Sequence, residues 1–247
     1  MKNLKIAIVG NSVGLRVRPP GVFPFNKNYG ALIEDILQKE YEQQVITVHN
    51  LSMGRATIWD VLKKRGEILN QFPEYYVINL GVTDASTREI PLWYSNVINS
   101  DKESLVKKVL NGFYLKIVKR FRPVLVRLRG KRSWTSRHNF EKYMDGFIGF
   151  LQKETNARII LLSINNTSDR VEAELPGSGE QYLAFNKIIK RISQKYNTQY
   201  LDTTELLQEE HFPDGIHYSH EGHELIANKV SSLIIDYENA SKDNNDR

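Results

Sequence analysis

The sequence predicts an α/β protein in which a parallel sheet is covered by helices on both faces. Short apolar runs alternate with helical patterns along the 247 residues, which is typical of this class. The central runs, such as residues 159–162, are apolar at every position, as strands buried on both faces are. With 40% hydrophobic and 26% charged residues, the composition is that of a globular protein.

Five strands and five helices account for most of the chain. Apolar runs bounded by turn residues predict strands at residues 4–9, 45–48, 75–80, 158–164 and 198–201. Helical periodicity predicts helices at residues 29–41, 57–71, 140–155, 179–196 and 220–237. Ligands of such sheets bind beyond the carboxyl ends of the strands, so the segments at 10–12, 50–54 and 81–84 should open onto one crevice.

Two segments lie outside this pattern. Residues 86–138, between the third and fourth strands, are longer than one crossover helix requires, so we predict an insertion there. We expect a helix at residues 103–121, followed by a basic irregular stretch. Residues 238–247 are polar and predict a disordered tail. We therefore expect a single domain over residues 1–237.

Several classes of protein are excluded by what the sequence lacks. It has no cysteine, which excludes disulfides, thiolate catalysis and cysteine-ligated metals. Its apolar runs are far shorter than the roughly 20 residues that span a bilayer. The apolar run near the N-terminus is too short for a secretory signal. We expect a cytoplasmic protein, with a peripheral contact to the inner membrane surface as a further possibility.

The net charge of +5 arises from one segment. Residues 104–140 contain no Asp or Glu but eleven basic residues: Lys107, Lys108, Lys116, Lys119, Arg120, Arg122, Arg127, Arg129, Lys131, Arg132 and Arg137. Four interpretations stay open. The segment could be a solvated face with snorkelling lysines, a lid over the site, or a contact to an anionic membrane surface or lipid-linked glycan phosphate. Nucleic acid is the fourth, but no recognised nucleic-acid module accompanies the basic residues.

A serine and a histidine at strand ends suggest nucleophilic catalysis. Ser12 follows the first strand, and a serine nucleophile needs a base that is oriented by a third group. Asp214 and His217 are close enough in sequence for the carboxylate to bond one ring nitrogen while the other points outward. Two alternatives stay open: Ser12 could cap a turn, and the nearby histidines at 211, 220 and 223 could form a metal site with an aspartate.

Four short blocks resemble the SGNH, or GDSL-like, hydrolase superfamily. They are Gly10-Asn11-Ser12, Gly54, Gly81 with Asp84, and Asp214-Gly215-Ile216-His217 followed by Ser-His-Glu-Gly-His. The resemblance implies a flavodoxin-like three-layer α/β/α sandwich with a five-stranded parallel sheet. It also implies a serine esterase that removes a small acyl group, such as an O-acetyl group from a carbohydrate, without a metal or cofactor. The alternatives are an O-acyltransferase with the same triad and a catalytically idle binding module.

The resemblance also assigns roles to individual residues. Ser12 is the expected nucleophile, His217 the base and Asp214 the third member of the triad. The oxyanion would be bound by the backbone N–H groups of Ser12 and Gly54 and by a side chain of the third block. That position is asparagine in the family but Thr83 here, whose shorter, β-branched side chain has one hydroxyl donor.

Four further residues are candidates for substrate contacts. Asn11 stands where the family more often has aspartate, and it could replace the missing oxyanion donor, as could Arg16 or a water. Arg16 and Arg18 could contact a substrate carboxylate or phosphate. Asp84 lies in the same region, although we interpret it as a structural residue that bonds to backbone near Ser12.

Overall fold

The structure, a computed structural model, describes residues 3–245 and contains one sheet of five parallel strands. The strands are β1 Asn3–Gly10, β2 Val45–Asn50, β3 Tyr75–Asn79, β4 Arg158–Leu162 and β5 Gln199–Leu201. Their order in the sheet is β2-β1-β3-β4-β5. This order confirms the predicted flavodoxin-like α/β fold. It reverses direction between β1 and β3, and the loops that follow these two strands therefore border one crevice.

Helices cover both faces of the sheet. They are α1 Tyr29–Glu40, α2 Ile58–Lys63, α3 Arg65–Leu69, α4 Val82–Ala85, α5 Leu92–Ile98, α6 Leu105–Phe113, α7 Arg122–Leu128, α8 Arg137–Glu154, α9 Asp169–Glu174, α10 Ser178–Lys195, α11 Thr203–Leu206 and α12 His220–Asn245. On one face α1 packs against α12, and on the other α8 packs against α10, α2 and α3. None of the helices in the described residues is long and apolar enough to cross a membrane.

The core explains why the central strands are apolar throughout. All five residues of β3 are buried, because β1 and β4 flank this strand and helices cover it above and below. On the α8–α10 side, the rings of Phe140 and Phe185 lie 4.6 Å apart and are fully buried. Burying a side chain of this size contributes about 1.5–3 kcal/mol each, so this layer holds the sheet in place.

The insertion contains more helix than predicted. A π-helical turn, Tyr114–Val118, follows α6, and α7 occupies part of the stretch that was expected to be irregular. Pro123 lies in the first turn of α7, where its missing N–H has no intrahelical partner to lose. The two ends of the insertion meet: Thr87 and Ser133 form an antiparallel bridge, and the N–H of Arg88 donates to the carbonyl of Arg132 at 3.0 Å.

Two other expectations need correction. The predicted helix at residues 57–71 is divided into α2 and α3 at Lys64, and Gly66, a weak helix former, lies just after the break. The polar tail predicted from residue 238 is helical as far as Asn245, while residues 246–247 lie outside the described part. The tail is held because Tyr75 donates to Glu238 at 3.0 Å and Arg158 lies over the Tyr237 ring.

Candidate active site

Ser12 is positioned by the turn that ends β1. Asn11 caps a short 3-10 turn, Ser12–Gly14, and its side-chain oxygen accepts from the N–H of Val13 at 3.2 Å. Asn11 itself is fully buried. It therefore shapes the turn that presents Ser12, whereas the sequence had suggested it as a substrate contact. The side chain of Ser12 is half-buried at the crevice between β1 and β3.

The loop before α12 brings His217 and Asp214 to Ser12. His217 Nε2 lies 2.9 Å from Ser12 Oγ, and His217 Nδ1 lies 2.8 Å from Asp214 Oδ2. With the Nδ1 proton on the carboxylate side, Nε2 is free to accept the hydroxyl proton of Ser12. Gly215 allows this turn, since its φ of 85° is left-handed and a Cβ there would clash with Ser168 Oγ.

Asp214 is held as a carboxylate. Burial alone would raise its pKa, but the hydrogen bonds from the His217 ring and from the N–H groups of His217 and Ile216 bring it well below the usual range. Arg18 adds a cation, with its Nε 3.5 Å from Asp214 Oδ2. The Asp214 carboxylate next to His217 therefore stays ionised at neutral pH, as an orienting group must.

The other histidines of this region have separate partners. His223 is buried; its Nδ1 accepts from the N–H of Tyr29 at 3.1 Å, and its Nε2 lies 3.2 Å from the Arg16 carbonyl. Burial lowers the pKa of His223 to about 4. His211 caps a turn through Gln208, and His220 lies 3.3 Å from Glu224. Among the side chains of residues 3–241, which the structure describes, no three His, Asp or Glu groups lie together so that they could hold a metal ion.

Thr83 and the turn at Gly54 differ in how they relate to Ser12. Thr83 is buried at the start of α4 and lines the same cavity as Ser12. Gly54 is exposed and does not line this cavity, but the next residue, Arg55, does. Arg55 has a left-handed φ of 64°, which is unfavourable for a residue with a side chain. The turn thus brings residue 55, rather than residue 54, to the cavity.

Asp84 has a structural role, as predicted, but its hydrogen-bond partners are not the expected backbone groups near Ser12. Its two carboxylate oxygens accept from the N–H of Ile58 at 3.1 Å, and one accepts from the Thr135 hydroxyl at 2.6 Å. The expected partner near Ser12 is therefore replaced by the first residue of α2 and by the end of the insertion. Burial raises the pKa of Asp84 to about 7. Being fully buried, Asp84 is not a surface for substrate.

A cavity of about 490 Å³ contains Ser12, Asp214 and His217 in its wall. Its volume lies within the range of about 300–1,000 Å³ that is common for small-molecule sites. Arg16 and Arg18 do not line it. The rest of the wall includes Arg55, Arg88 and Glu89, which sequence reasoning did not single out. It also includes Tyr114, Arg122 and Trp134 from the insertion, the segment for which a lid over the site was one of the open interpretations. Only their nearness to the second and third blocks could have indicated Arg55 and Arg88.

The chain is similar to known hydrolases in sequence pattern and in fold. A model of the "GDSL-like Lipase/Acylhydrolase family" matches residues 9–225. A lipase/acylhydrolase from Enterococcus faecalis is 18% identical, with a TM-score of 0.63 over 94% of this chain and 95% of the other. An acetylxylan esterase from Geobacillus stearothermophilus is also 18% identical, with a TM-score of 0.60 over 91% of each chain. No curated protein sequence matches the chain.

Proposed function

Because the chain belongs to the GDSL-like lipase/acylhydrolase family and is a carboxylic ester hydrolase, we propose that it removes a small acyl group through Ser12, His217 and Asp214. The observation that carries this proposal is the continuous hydrogen-bonded series from Ser12 Oγ to the Asp214 carboxylate, at 2.9 and 2.8 Å. The series matches the geometry in which a base activates a serine and an acid orients the base.

In the proposed reaction, Ser12 Oγ attacks the ester carbonyl carbon while its proton passes to His217 Nε2. The tetrahedral oxyanion collapses, the bond to the alcohol oxygen breaks, and that oxygen takes the proton from His217 as the alcohol leaves. Water then attacks the acyl-enzyme with His217 as base, and Ser12 is regenerated with release of the carboxylic acid. Asp214 stabilises the imidazolium in both halves of the reaction.

The oxyanion is proposed to lie beside the turn that follows β1. Its donors would be the N–H of Ser12, an N–H from the turn at residues 54–55, and the hydroxyl of Thr83. Within that turn, the N–H of Gly54 is the donor that the family resemblance implies. Each such donor, when placed correctly, is worth roughly 10²–10³ in kcat.

For the substrate, we propose an O-acetyl group on a carbohydrate. The cavity is large enough for one acylated sugar ring and is lined by both polar and apolar side chains. A structural neighbour is an acetylxylan esterase, and we extend that ester class to this chain as part of the proposal.

An acyl-length series with p-nitrophenyl esters tests the reaction. We expect turnover to be highest with acetate and to fall as the chain lengthens. A fluorophosphonate should label the wild-type protein and not Ser12→Ala. Ser232→Ala, which removes an exposed hydroxyl on α12, serves as the matched control and should behave as the wild type. Labelling that persists in Ser12→Ala would contradict the assignment of the nucleophile.

The same assay separates the alternatives. An acyltransferase would consume the ester faster when a sugar acceptor is added, and the acetyl group would appear on the acceptor. A catalytically idle binding module would show neither labelling nor ester turnover. Either result would replace simple hydrolysis as the function.

A further inference from the structure

Two arginines in the wall of the Ser12 cavity lack a carboxylate partner. Among the side chains described, those of residues 3–241, neither Arg55 nor Arg88 forms an ion pair. Arg122, which lines the same cavity, differs from them because it pairs with Glu89 at 3.2 Å and with Glu174 at 2.7 Å. The cavity wall therefore carries positive charge that the described protein does not neutralise.

Arg88 is held in place by an indole ring. Its guanidinium lies 4.3 Å from the centre of the Trp134 ring, and Trp134 is itself fixed by a hydrogen bond from Nε1 to the Ile90 carbonyl at 3.0 Å. The Nε of Arg88 is buried and has no hydrogen-bond partner among the described residues. A guanidinium stacked in this way keeps the N–H groups at its edge available for an in-plane acceptor.

The neighbouring acids are already engaged. Glu89 accepts from the Tyr114 hydroxyl at 2.7 Å in addition to Arg122. Arg55 reaches only a neutral group, donating from Nη2 to the hydroxyl of Ser95. Burial lowers the pKa of Arg55. Burial also lowers the pKa of Arg88, and the charges of Arg55 and Arg122 add to this effect while the Glu89 carboxylate opposes it. Partly desolvated cations of this kind are stabilised by an anionic ligand.

We infer that Arg55 and Arg88 bind an anionic group of the substrate, a carboxylate or a phosphate, while the ester lies at Ser12. This inference rests on the proposed function, because it requires the ester to be attacked in the same cavity. Arginine presents a rigid fork of donors that matches both kinds of anion. The substrate class is thus an acylated sugar or similar alcohol that carries an acidic group.

The test compares matched neutral and anionic esters. O-acetylglucose, O-acetylglucuronate and a phosphorylated O-acetylglucose share one acyl group and differ in charge. We expect the wild type to have the higher kcat/KM on one of the anionic esters, which also identifies the anion. Arg88→Met and Arg55→Met should each lower that value about 10–100-fold, the usual worth of a hydrogen bond to a charged group. The kcat/KM of Arg88→Met on O-acetylglucose should stay within about threefold.

Controls separate this inference from the proposed function. Arg65→Met removes an arginine that lies over Phe150, away from the cavity, and should change neither substrate. Arg88→Lys keeps the charge but not the fork, so it should recover only part of the preference. Equal rates on neutral and anionic esters in the wild type would overturn the inference while leaving the esterase intact. Absence of turnover on every ester would instead contradict the proposed function.

A second inference rests on a different surface, the outer stripe of α6. Leu105, Val106 and Val109 are 80%, 62% and 69% exposed, and Phe113 is half-exposed on the same side. The spacing of Leu105, Val109 and Phe113 places them on one helix face. On the opposite side, Leu110 packs on the small core of the insertion. We call the four exposed residues the α6 stripe.

Exposed cations accompany the α6 stripe. Lys108, Lys116 and Lys119 are exposed on α6 and in the turns that follow it, and the segment from residue 104 to 140 has no acidic residue. If two copies of the chain met through this face, like charges would be brought together. An apolar stripe flanked by lysines is instead complementary to a bilayer with anionic headgroups.

The geometry points to docking of the α6 stripe on an anionic membrane surface. Sedimentation with vesicles tests it. We expect binding to phosphatidylcholine vesicles that contain about 30% phosphatidylglycerol, weaker binding at about 500 mM salt, and little binding to phosphatidylcholine alone. The combined change Leu105→Ser, Val106→Ser and Val109→Ser should weaken binding at least tenfold, because it removes the apolar area that would be buried.

Two comparisons make this result decisive. Leu183→Ser alters an exposed leucine on α10, outside the insertion, and should bind vesicles as the wild type does. Replacing Lys108, Lys116 and Lys119 by glutamine should remove the preference for anionic vesicles. Binding that ignores lipid charge, or that survives the stripe variant, would overturn the inference. A dimer seen by light scattering and lost in the stripe variant would identify a second copy as the occupant.

Discussion

The two walls of the Ser12 cavity differ in how their polar groups are satisfied. One wall contains Ser12, from the turn that ends β1, and His217 and Asp214, from the loop before α12. We call it the sheet-edge wall, and its three residues form a complete hydrogen-bonded series. The other wall contains residues of the insertion, and we call it the insertion wall. There Arg88 is stacked on Trp134 but has no ion-pair partner in the described residues. The comparison teaches that the hydrogen bonds needed for catalysis are already formed on the first wall. On the second wall, the guanidinium of Arg88 gains an anionic partner only when a ligand binds. We therefore assign reactivity to the first wall and substrate choice to the second.

The largest expected effect is on the sheet-edge wall. Asp214→Asn should lower kcat/KM about 10³–10⁴-fold, because the amide no longer holds the reactive tautomer of His217. The loss should be the same on O-acetylglucose and O-acetylglucuronate, unlike that of Arg88→Met. Steady-state kinetics on both esters measure this, with Asp202→Asn, a change at the cap of α11, as control. A substrate-dependent loss would break the division between the two walls.

Truncating a side chain should lower the free energy of unfolding much more in the sheet than on the exposed face of the insertion. Ile160 is fully buried in β4, and Ile160→Ala should lower the free energy of unfolding by about 2–5 kcal/mol. Leu105→Ala, on the exposed stripe of α6, should change it by less than about 0.5 kcal/mol. Urea denaturation measures both. A large loss in Leu105→Ala would mean that the stripe is covered in solution.

The pH dependence of the free energy of unfolding should show that His223 is buried as a neutral ring. Its pKa falls from 6.5 to about 4 on folding, so between these values the unfolded chain binds more protons. Stability should therefore rise with pH across this window, by up to about 3 kcal/mol from this group, and be fully present above it. His223→Gln should lose this part of the slope when unfolding is followed from pH about 4.5 to about 7. An unchanged slope would show that His223 is not buried as a neutral ring.

The smallest expected effect concerns Thr83, which lies between the two walls. Thr83→Val removes the hydroxyl at nearly constant shape and should lower kcat about 100-fold, with KM little changed, if that hydroxyl binds the oxyanion. Thr83→Asn restores the family residue and should recover at least the wild-type kcat. Equal activity of the valine and threonine forms would assign the third donor to a water or another residue.

The sequence predicts the sheet-edge wall far better than the insertion wall. β1 and β3 are largely apolar because most of their residues are buried on both faces, so their ends, and with them Ser12 and Thr83, could be located from pattern alone. The turn from Asp214 to His217 is local and follows from its spacing. Arg88 could not be located in this way, because its place depends on Trp134, a residue distant in sequence that only folding brings near.

The difference between local pattern and long-range contact also explains the two wrong predictions, for Asp84 and for the C-terminal tail. Asp84 was expected to bond near Ser12, but its partners, Ile58 and Thr135, come from segments whose positions are set by packing. The tail beyond residue 237 was judged by polarity, whereas its helix is held by Tyr75 and Glu238, a contact between distant parts of the chain. Local pattern thus predicts the helices and strands. Which residues their ends contact depends on parts of the chain that are distant in sequence.

The bridge between Thr87 and Ser133, with the bond from Arg88 to Arg132, closes the neck of the insertion. Entry and exit lie side by side, so the loop between them can be lengthened, shortened or exchanged for that of a relative at small entropic cost. The insertion is thus a replaceable segment above the cavity wall that carries Ser12, His217 and Asp214. Grafting other segments onto this neck is a direct route to esterases with new selectivity.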